Sequence, residues 1–578
     1  MLGGRKTAVP AAAVGILLFA AACGGGGGGG AGGGGQESSL AACDQSPNIC
    51  NSAQVKNNTG TFSYVIEKNV EDWNLLSITG NVFETAEVLD GVLPYAFDSY
   101  PDLKPHLNTD LLESAKETKT SPQTFVYKIK DDAVWSDGTP VSAKDFIYAW
   151  KVQNGEDCPD CAAATNSGYN RIKSIKGSDG GKTVTVTMKK PFTDWKIMFG
   201  PLYPAHIAEK HGGTDSASGL AKSFKWFQQN VPPVSAGPFE IKNFKDNVAV
   251  TEVPNPKWWG EGAHLKRLIF RIITDATQEP TALANNEVQA IYPQPEVDLV
   301  QQVEQIPNVS YYLGQGLIWE HFDLNLKNPF LKDEALRDAM FTAVDRQKII
   351  NKTVGQFKKG IKPLNNHNFV PQEDGYTDTV TATGHGAGNL GKAKQILKQA
   401  GYKIQGGKLI TPDGKTVKPM TIRYTTGNTI RKNECELFAQ QVKPLGVTVN
   451  IKPTDDLGGT LGNGDYDVIV FAWVGTPFPF AGAGQLWLST SGSNFGHWVN
   501  KKSDALIKKA VASTDRQQAA KWLNQADKIM AEDSYVLPLY QKPTFLAVQD
   551  KYANIRDNAT NVGPPYNAQE WGVRASSE

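Results

Sequence analysis

Val126-Tyr-Lys-Ile-Lys-Asp-Asp-Ala-Val-Trp-Ser-Asp-Gly-Thr-Pro-Val-Ser-Ala-Lys-Asp-Phe146 holds a strand, a tight turn and a helix start in one run. With Phe125 ahead of it, apolar Phe125, Tyr127 and Ile129 alternate with other residues, the period of a half-buried strand, and Asp131-Asp132 turns the chain. Trp135 packs, Asp137-Gly138 turns a hairpin, and Ser142 with Asp145 reads as the cap of a helix carrying Phe146, Ile147 and Trp150 on one face.

Outward from this run, strands and helices alternate irregularly. Lys182 to Met188 is another period-two strand, and Gly237-Pro238 and Asn255-Pro256 bracket strand-like segments. Asp333 to Gly355 reads as one helix with Leu336, Met340, Phe341, Val344 and Ile349 inward and Gly355 as its stop. Further on come a helix from Lys392 to Ala400 closed by Gly401, a strand from Met420 to Tyr424, a helix from Arg431 to Val442 and a strand from Val447 to Ile451. The nearly all-apolar run Tyr466 to Val474 reads as a strand covered on both faces. A last helix, about Arg516 to Asp533, leads into Val536-Leu-Pro-Leu-Tyr540. An open α/β sheet of this kind binds ligands at strand ends and domain clefts.

The 578 residues suffice for two to four domains at ~150 residues each. Its 59 basic and 59 acidic residues cancel, so no cationic excess is present to neutralise phosphates, which argues against nucleic acid. The one long apolar run lies at the N-terminus, which excludes a polytopic membrane protein. There Arg5-Lys6 precedes an apolar stretch from Ala8 to Ala22, interrupted by Pro10 and Gly15, and Cys23 follows. This is the pattern of a secretory signal (1–22) ending at the cysteine that is diacylated in a bacterial lipoprotein, with Ala20 where leucine is usual. Ordinary cleavage in the alanine run, with Cys23 incidental, is the alternative. Leu40-Ala-Ala-Cys43 has the better lipobox letters but follows glycine-rich sequence rather than an apolar run, and is set aside as the anchor. Gly24 to Gly35, glycine except for Ala31, makes a flexible tether, so 23–51 reads as lipid anchor and spacer.

Five cysteines follow Cys23, so at least one cannot pair within the chain. Cys43 and Cys50 flank a turn-rich loop that an exported protein could staple. Cys158-Pro-Asp-Cys161 has thiol-exchange spacing, but it lies in a loop after a helix with no strand leading in, and a small structural disulfide is the preferred reading. Cys435 reads as a buried small apolar residue. No nucleophile elbow, phosphate loop or dinucleotide fingerprint stands in a strand-to-helix context. The closest histidines, His206 and His211, would lie about 140° apart on a helix, a poor pair of metal ligands. Asp455-Asp456, and Asp465 with Asp467, read as turn and strand-entry residues. The sequence points to no catalytic residue, no metal and no cofactor.

Six ordered blocks carry a resemblance: the run ending at Phe146; Gly237-Pro-Phe239 with Asn255-Pro-Lys-Trp-Trp-Gly260; Leu336-Arg-Asp-Ala-Met340 through Val344-Asp-Arg346; Ala393 through Ala400-Gly-Tyr402; Gly464-Asp-Tyr-Asp467 through Trp473; and Pro538-Leu-Tyr540. Together they resemble the family-five extracellular solute-binding proteins, the oligopeptide- and dipeptide-binding subunits of bacterial ABC importers, over about residues 60–550. The resemblance implies an α/β, periplasmic-binding-protein-like type II fold of three lobes. Lobe I would comprise 52–91, 201–312 and 540–578, lobe II 92–200 and lobe III 313–539. The ligand cleft would lie between lobes I and III, which close about a hinge.

In relatives that bind peptides, the ligand lies extended and pairs its backbone with strand segments. Carried over, these are Asn81-Val82-Phe83 after Gly80 in lobe I and Ala472-Trp473-Val474 in lobe III, with Phe83 and Trp473 equally readable as core. Tyr169 and Trp319 fall near the family's cleft, and Thr476 and Phe478 follow Trp473 in Trp473-Val-Gly-Thr-Pro-Phe-Pro-Phe-Ala481. That run departs from the peptide binders, which carry an aspartate just after the tryptophan to hold the ligand's α-ammonium. The arginine that one well-known oligopeptide binder has shortly before the tryptophan is also missing from Val468 to Ala472. A buried ammonium without a countercharge costs on the order of several kcal/mol, so zwitterionic short peptides fit only if Glu84, Glu320 or another acid substitutes. Phe478 and Phe480 instead offer an aromatic wall suited to apolar side chains, blocked peptides or sugar rings.

The resemblance thus implies a monomeric, non-catalytic binding protein, lipid-anchored on the outer face of the cell membrane, that hands oligopeptides or a similar extended, weakly charged solute to ABC permease and ATPase subunits. Two other readings stand: a non-transport relative that binds or regulates a cell-envelope glycolipid, and a secreted thiol oxidoreductase using Cys158 and Cys161.

Overall fold

In the computed structural model, which describes residues 40–575, the strand of the opening run is Gln123–Ile129, with Phe125, Tyr127 and Ile129 buried. It lies inside a four-stranded antiparallel sheet ordered 112–120, 123–129, 183–188 and 172–178. Trp135 is fully buried at the turn, its backbone N–H donating to the Thr139 carbonyl at 2.7 Å, and Gly138 has φ +89, a conformation that disfavours any side chain. The Ser142 hydroxyl accepts from the Lys144 N–H at 3.3 Å and the Asp145 carboxylate accepts from the Ser142 N–H at 2.9 Å, starting the helix Ala143–Gln153. The other Asp145 oxygen accepts from the Ala205 N–H at 2.8 Å, so the cap also fixes the next segment. The secretory signal, Cys23 and the glycine tether lie outside the described residues.

A seven-stranded mixed sheet gathers its strands from separated stretches, in the order 309–312, 546–549, 290–291, 61–66, 267–272, 249–254 and 239–245. Thr61–Ile66 runs parallel to Arg267–Ile272, Thr61 opposite Arg267 and Ile66 opposite Ile272, which closes the long excursion through the four-stranded sheet. A five-stranded sheet is ordered 449–454, 420–425, 468–474, 315–324 and 536–543. In it Met420–Thr425, the helix Thr429–Val442 and Val449–Thr454 make a parallel strand, helix, strand unit. Val468–Val474 pairs antiparallel with Gln315–Leu324 along its whole length, but with Met420–Thr425 only at Val468 and Ile469. Among the described residues, the rest of that edge carries no partner strand.

The expected single helix 333–355 is two, Glu334–Ala343 and Arg346–Lys352. Val344 turns extended at ψ 130, and the Asp345 carboxylate accepts from the Lys348 N–H at 2.8 Å to cap the second helix; this local polar bond overrides the apolar period. The strand expected at 447–451 runs from Val449 to Thr454.

The five- and seven-stranded sheets are joined by two adjacent crossings, Leu313-Gly314 and Thr544-Phe545, with the Thr544 N–H donating to the Gly314 carbonyl at 3.2 Å. The second lies beyond the expected boundary at 539/540, because Tyr540 to Pro543 still pair with Glu320 to Gln315. Cys43 is bonded to Cys50 and Cys158 to Cys161, and Cys435 is a free buried thiol. His206 lies 2.9 Å from Asp137 and His211 stacks on Trp226. Among the described residues no group of three His, Cys, Asp or Glu side chains is placed to hold a metal ion, and no helix is long and apolar enough to cross a membrane.

Candidate ligand-binding trough

Two adjoining cavities border the unpaired edge of Val468–Val474, and a third continues from them past Phe478 and Pro479. The first, ≈ 860 Å³, lies between the Cys158–Cys161 loop on one side and Ala472, Trp473, Val474 and Gln485 on the other. The second, ≈ 310 Å³, shares Gln153, Thr165, Trp473, Val474 and Gln485 with the first and adds Asn81, Tyr95, Trp319, His367, Thr476 and Phe478. The third, ≈ 600 Å³, shares Phe478 and Pro479 with the second and is bordered by Trp195, Lys196, Glu373, Phe480 and Arg516. End to end they make a trough for an extended molecule, since each alone is within the range of a small-molecule pocket.

The middle of the trough is aromatic and is lined by no carboxylate, lysine or arginine. Trp319 and Trp473 are opposite each other on neighbouring strands, and the Trp487 ring lies 6.5 and 6.2 Å from theirs. Trp473 is half-buried, stacked on Phe495, and its buried indole N–H has no hydrogen-bond partner. Gln485 donates to the Thr165 hydroxyl at 2.9 Å, joining the four-stranded part to the five-stranded part across the trough. Trp487 donates to the Asn368 amide oxygen at 3.0 Å, and Asn368 donates to Asp527 at 2.7 Å. His367 has Nδ1 3.1 Å from Asp527 and Nε2 3.0 Å from the Val536 carbonyl. Burial opposes its charge, but the Asp527 carboxylate outweighs burial and its pKa is raised. No Asp, Glu, Lys or Arg borders this middle cavity, so an uncharged stretch of ligand can enter without stranding a charge.

Of the residues expected at the site, Asn81, Trp319, Trp473, Val474, Thr476 and Phe478 meet around the middle cavity, and Ala472 joins Trp473 and Val474 at the first. Val82 and Phe83 do not supply a strand. Val82 is the cap of the helix Phe83–Leu89, and Phe83 stacks on Tyr292. The cause is upstream: Asp72 accepts from Ser77 and Thr79, and Gly80 is so close to the Asn74 carbonyl that a Cβ would lie 2.2 Å from it, which steers the chain into the helix. Tyr169 is core, its ring edge-on to Phe199 and its hydroxyl accepting from the Phe199 N–H at 2.7 Å. Phe480 is buried against Phe369 beneath Arg516, so its wall belongs to the third cavity.

Neither acid named as a substitute ammonium anchor is placed for that task. Glu320 points from the opposite face of its strand, with Arg431 at 2.7 Å and Lys542 at 3.5 Å. Burial alone would push its carboxyl up, but these two cations outweigh burial and hold it below the usual range. Glu84 is buried beside Lys68 at 3.4 Å and borders none of the three cavities. Sequence reasoning missed Tyr95, Gln153, His367 and Gln485, which stand in no local motif; only Gln153, at the end of the capped helix, lies near one.

Residues 106–495 match the family model for bacterial extracellular solute-binding proteins, family 5 Middle. The chain belongs to this family. It is 30% identical over 492 residues to the oligopeptide-binding protein OppA of Mycobacterium tuberculosis (strain ATCC 25618 / H37Rv), covering 84% of this chain and 80% of OppA. It is 26% identical over 374 residues to that organism's "Probable monoacyl phosphatidylinositol tetramannoside-binding protein LpqW", covering 62% of this chain and 55% of LpqW. The solved structure of the periplasmic EDTA-binding protein EppA superposes with a TM-score of 0.86 at 36% identity, covering 91% of this chain and 98% of EppA. The mixed α/β architecture is therefore the type II periplasmic-binding-protein-like fold. Family-5 members are extracytoplasmic solute-binding proteins of ABC importers, binding proteins rather than enzymes.

Proposed function

We propose that this family-5 protein is the lipid-anchored, monomeric solute receptor of an ABC importer, capturing oligopeptides or a similar extended, weakly charged solute and delivering it to permease and ATPase subunits. The observation that carries the reading is the unpaired strand edge at Ala472–Val474 facing a trough whose middle holds tryptophans and amides but no carboxylate, lysine or arginine. A ligand backbone added to that edge finds main-chain donors and acceptors, while its side chains meet apolar surface. OppA's name supports the peptide class. Anchoring at Cys23 is favoured because the sulfur of Cys43, the other lipobox cysteine, is bonded to Cys50. Cys158 and Cys161 are nearly fully buried and brace the loop lining the first cavity, which suits a structural disulfide better than thiol exchange. A second reading, glycolipid binding, draws on the similarity to LpqW and on tryptophans and amides that suit sugar rings.

The test is calorimetric titration with penta- to nonapeptides, each with a free and an acetylated N-terminus. Acetylation should change affinity by less than about tenfold, or ~1.4 kcal/mol, because no acid in the middle cavity awaits an ammonium. A much larger loss on acetylation overturns the reading of the lining.

A further inference from the structure

We infer that the turn Thr193-Asp194 is the clasp that holds the trough shut on its ligand, with Asp194 as the positioning residue for the helix Pro479–Leu486 that walls the middle cavity. This rests on the proposed capture function and deepens it. The chain reaches the four-stranded sheet from strand 61–66 and leaves it for strand 239–245, both in the seven-stranded sheet, so no chain crossing leads directly from the four-stranded to the five-stranded part. The Asp145 bond to the Ala205 N–H and the Ser136 N–H on the Ser235 carbonyl at 2.7 Å tie the four-stranded part further to the seven-stranded one. Rotation about the two adjacent crossings would therefore carry the four-stranded part away from the five-stranded part, and whatever they share without a covalent link must break.

Thr193 and Asp194 hold most tightly across that junction, and they do so by completing the ends of three helices. The last carbonyls of a helix and its first N–H groups have no partner inside it. At the end of the helix Lys501–Val511, the Thr193 N–H donates to the Val511 carbonyl at 3.1 Å and the Thr193 hydroxyl to the Ala510 carbonyl at 2.5 Å. The same hydroxyl accepts from the Ser513 N–H at 2.9 Å. At the start of Pro479–Leu486, one Asp194 oxygen accepts from the Ala481 N–H at 2.8 Å, where the helix dipole favours a negative charge. The other oxygen accepts from Arg516, the first residue of Arg516–Glu532, at 2.6 Å. The guanidinium in turn lies 4.9 Å over the Phe480 ring.

Both Asp194 oxygens thus take their donors from the five-stranded part, and the side chain is fully buried there. The helix it caps begins just after Phe478 and carries Gln485, so it sets one wall of the middle cavity and places the amide that reaches Thr165 across the trough. Charge-assisted bonds of this kind are the strong ones. Since they exist only with the two parts together, they should slow the escape of a captured ligand and leave its entry alone.

The test uses the full chain, the same penta- to nonapeptides, and stopped-flow tryptophan fluorescence to separate association from release. Arg516→Met, Asp194→Asn and Thr193→Val should each speed release by about tenfold or more and leave association within about threefold, since interface changes act mostly on release. Arg516→Lys, which keeps a cation opposite Asp194, should restore slow release. Spin labels at Lys173→Cys and Lys403→Cys, both exposed, report the separation of the two parts, and it should widen in Arg516→Met; Cys435 is buried. Thermal melts check folding, and should either buried variant fail to fold, Arg516→Met decides, because that side chain is half exposed. Unchanged release, or label distances equal to the wild type in every state measured, overturns the clasp and leaves the capture function standing. Should the wild type bind no peptide, the capture reading fails, and the ligand-free label distances decide the clasp alone: wider in Arg516→Met supports it, and identical overturns it.

Discussion

Trp473 belongs to two environments, stacked on Phe495 and edge-on to Phe471 at the margin of the core and bordering both the first and the middle cavity. Truncating a fully buried aromatic costs ~3–5 kcal/mol, and losing one at a binding hot spot often costs about 2 kcal/mol or more. Because the ring is half-buried and open to the trough, Trp473→Ala should lower peptide affinity by more than tenfold while the melting temperature falls by only a few degrees. Paired calorimetric titrations and thermal melts separate the roles; a collapsed melting temperature with unchanged affinity would assign the ring to the core. Glu279 offers a different handle. It is fully buried and neither carboxyl oxygen has a hydrogen-bond partner. Burial, and then the nearby Glu67, push it from 4.5 to about 9. With the folded pKa above the unfolded one, its contribution to stability is fully present below pH 4.5 and is lost as pH rises through about 9. Glu279→Gln should therefore flatten the fall in melting temperature across that window and raise it most at the alkaline end. A variant whose melting temperature tracks the wild type at every pH would count against this.

The helix Ala143–Gln153 shows why one stretch of this chain is readable and others are not. Its cap, Ser142 with Asp145, and the turn at Gly138 are satisfied by neighbours a few residues away, so the pattern of side chains determines the local structure. Ser142→Ala should cost about 1 kcal/mol, seen as a lower denaturation midpoint with peptide affinity unchanged. The helix pair Glu334–Ala343 and Arg346–Lys352 was legible as apolar period but not as a break, because Asp345 looks like any surface acid until its carboxylate is seen to accept from Lys348. The strand Val468–Val474 was legible as buried; its unpaired edge was not, since that depends on where Met420–Thr425 stops pairing. The trough followed the same division. Asn81, Trp473 and Phe478 could be carried over from motifs, whereas Gln153, His367 and Gln485 meet only because three lobes converge. Tyr169 was misplaced because its burial against Phe199 is a property of the lobe II core and not of its own sequence neighbours.

Two adjacent chain crossings, Leu313-Gly314 and Thr544-Phe545, join the seven- and five-stranded sheets, and a hinge between lobes I and III is expected there. An extended ligand loses its water only when the lobes close over it, so small-angle scattering should report a smaller radius of gyration with saturating peptide; an unchanged radius with confirmed binding would contradict closure. Whether the trough captures an extended solute in life is tested most directly by native mass spectrometry of the protein purified from its own host. The protein should carry a non-covalent ligand which, on collisional release, has the mass and fragmentation of a peptide or another extended, weakly charged solute. Release of an acylated mannoside, or a bare polypeptide mass under the gentlest conditions in every preparation, would contradict it.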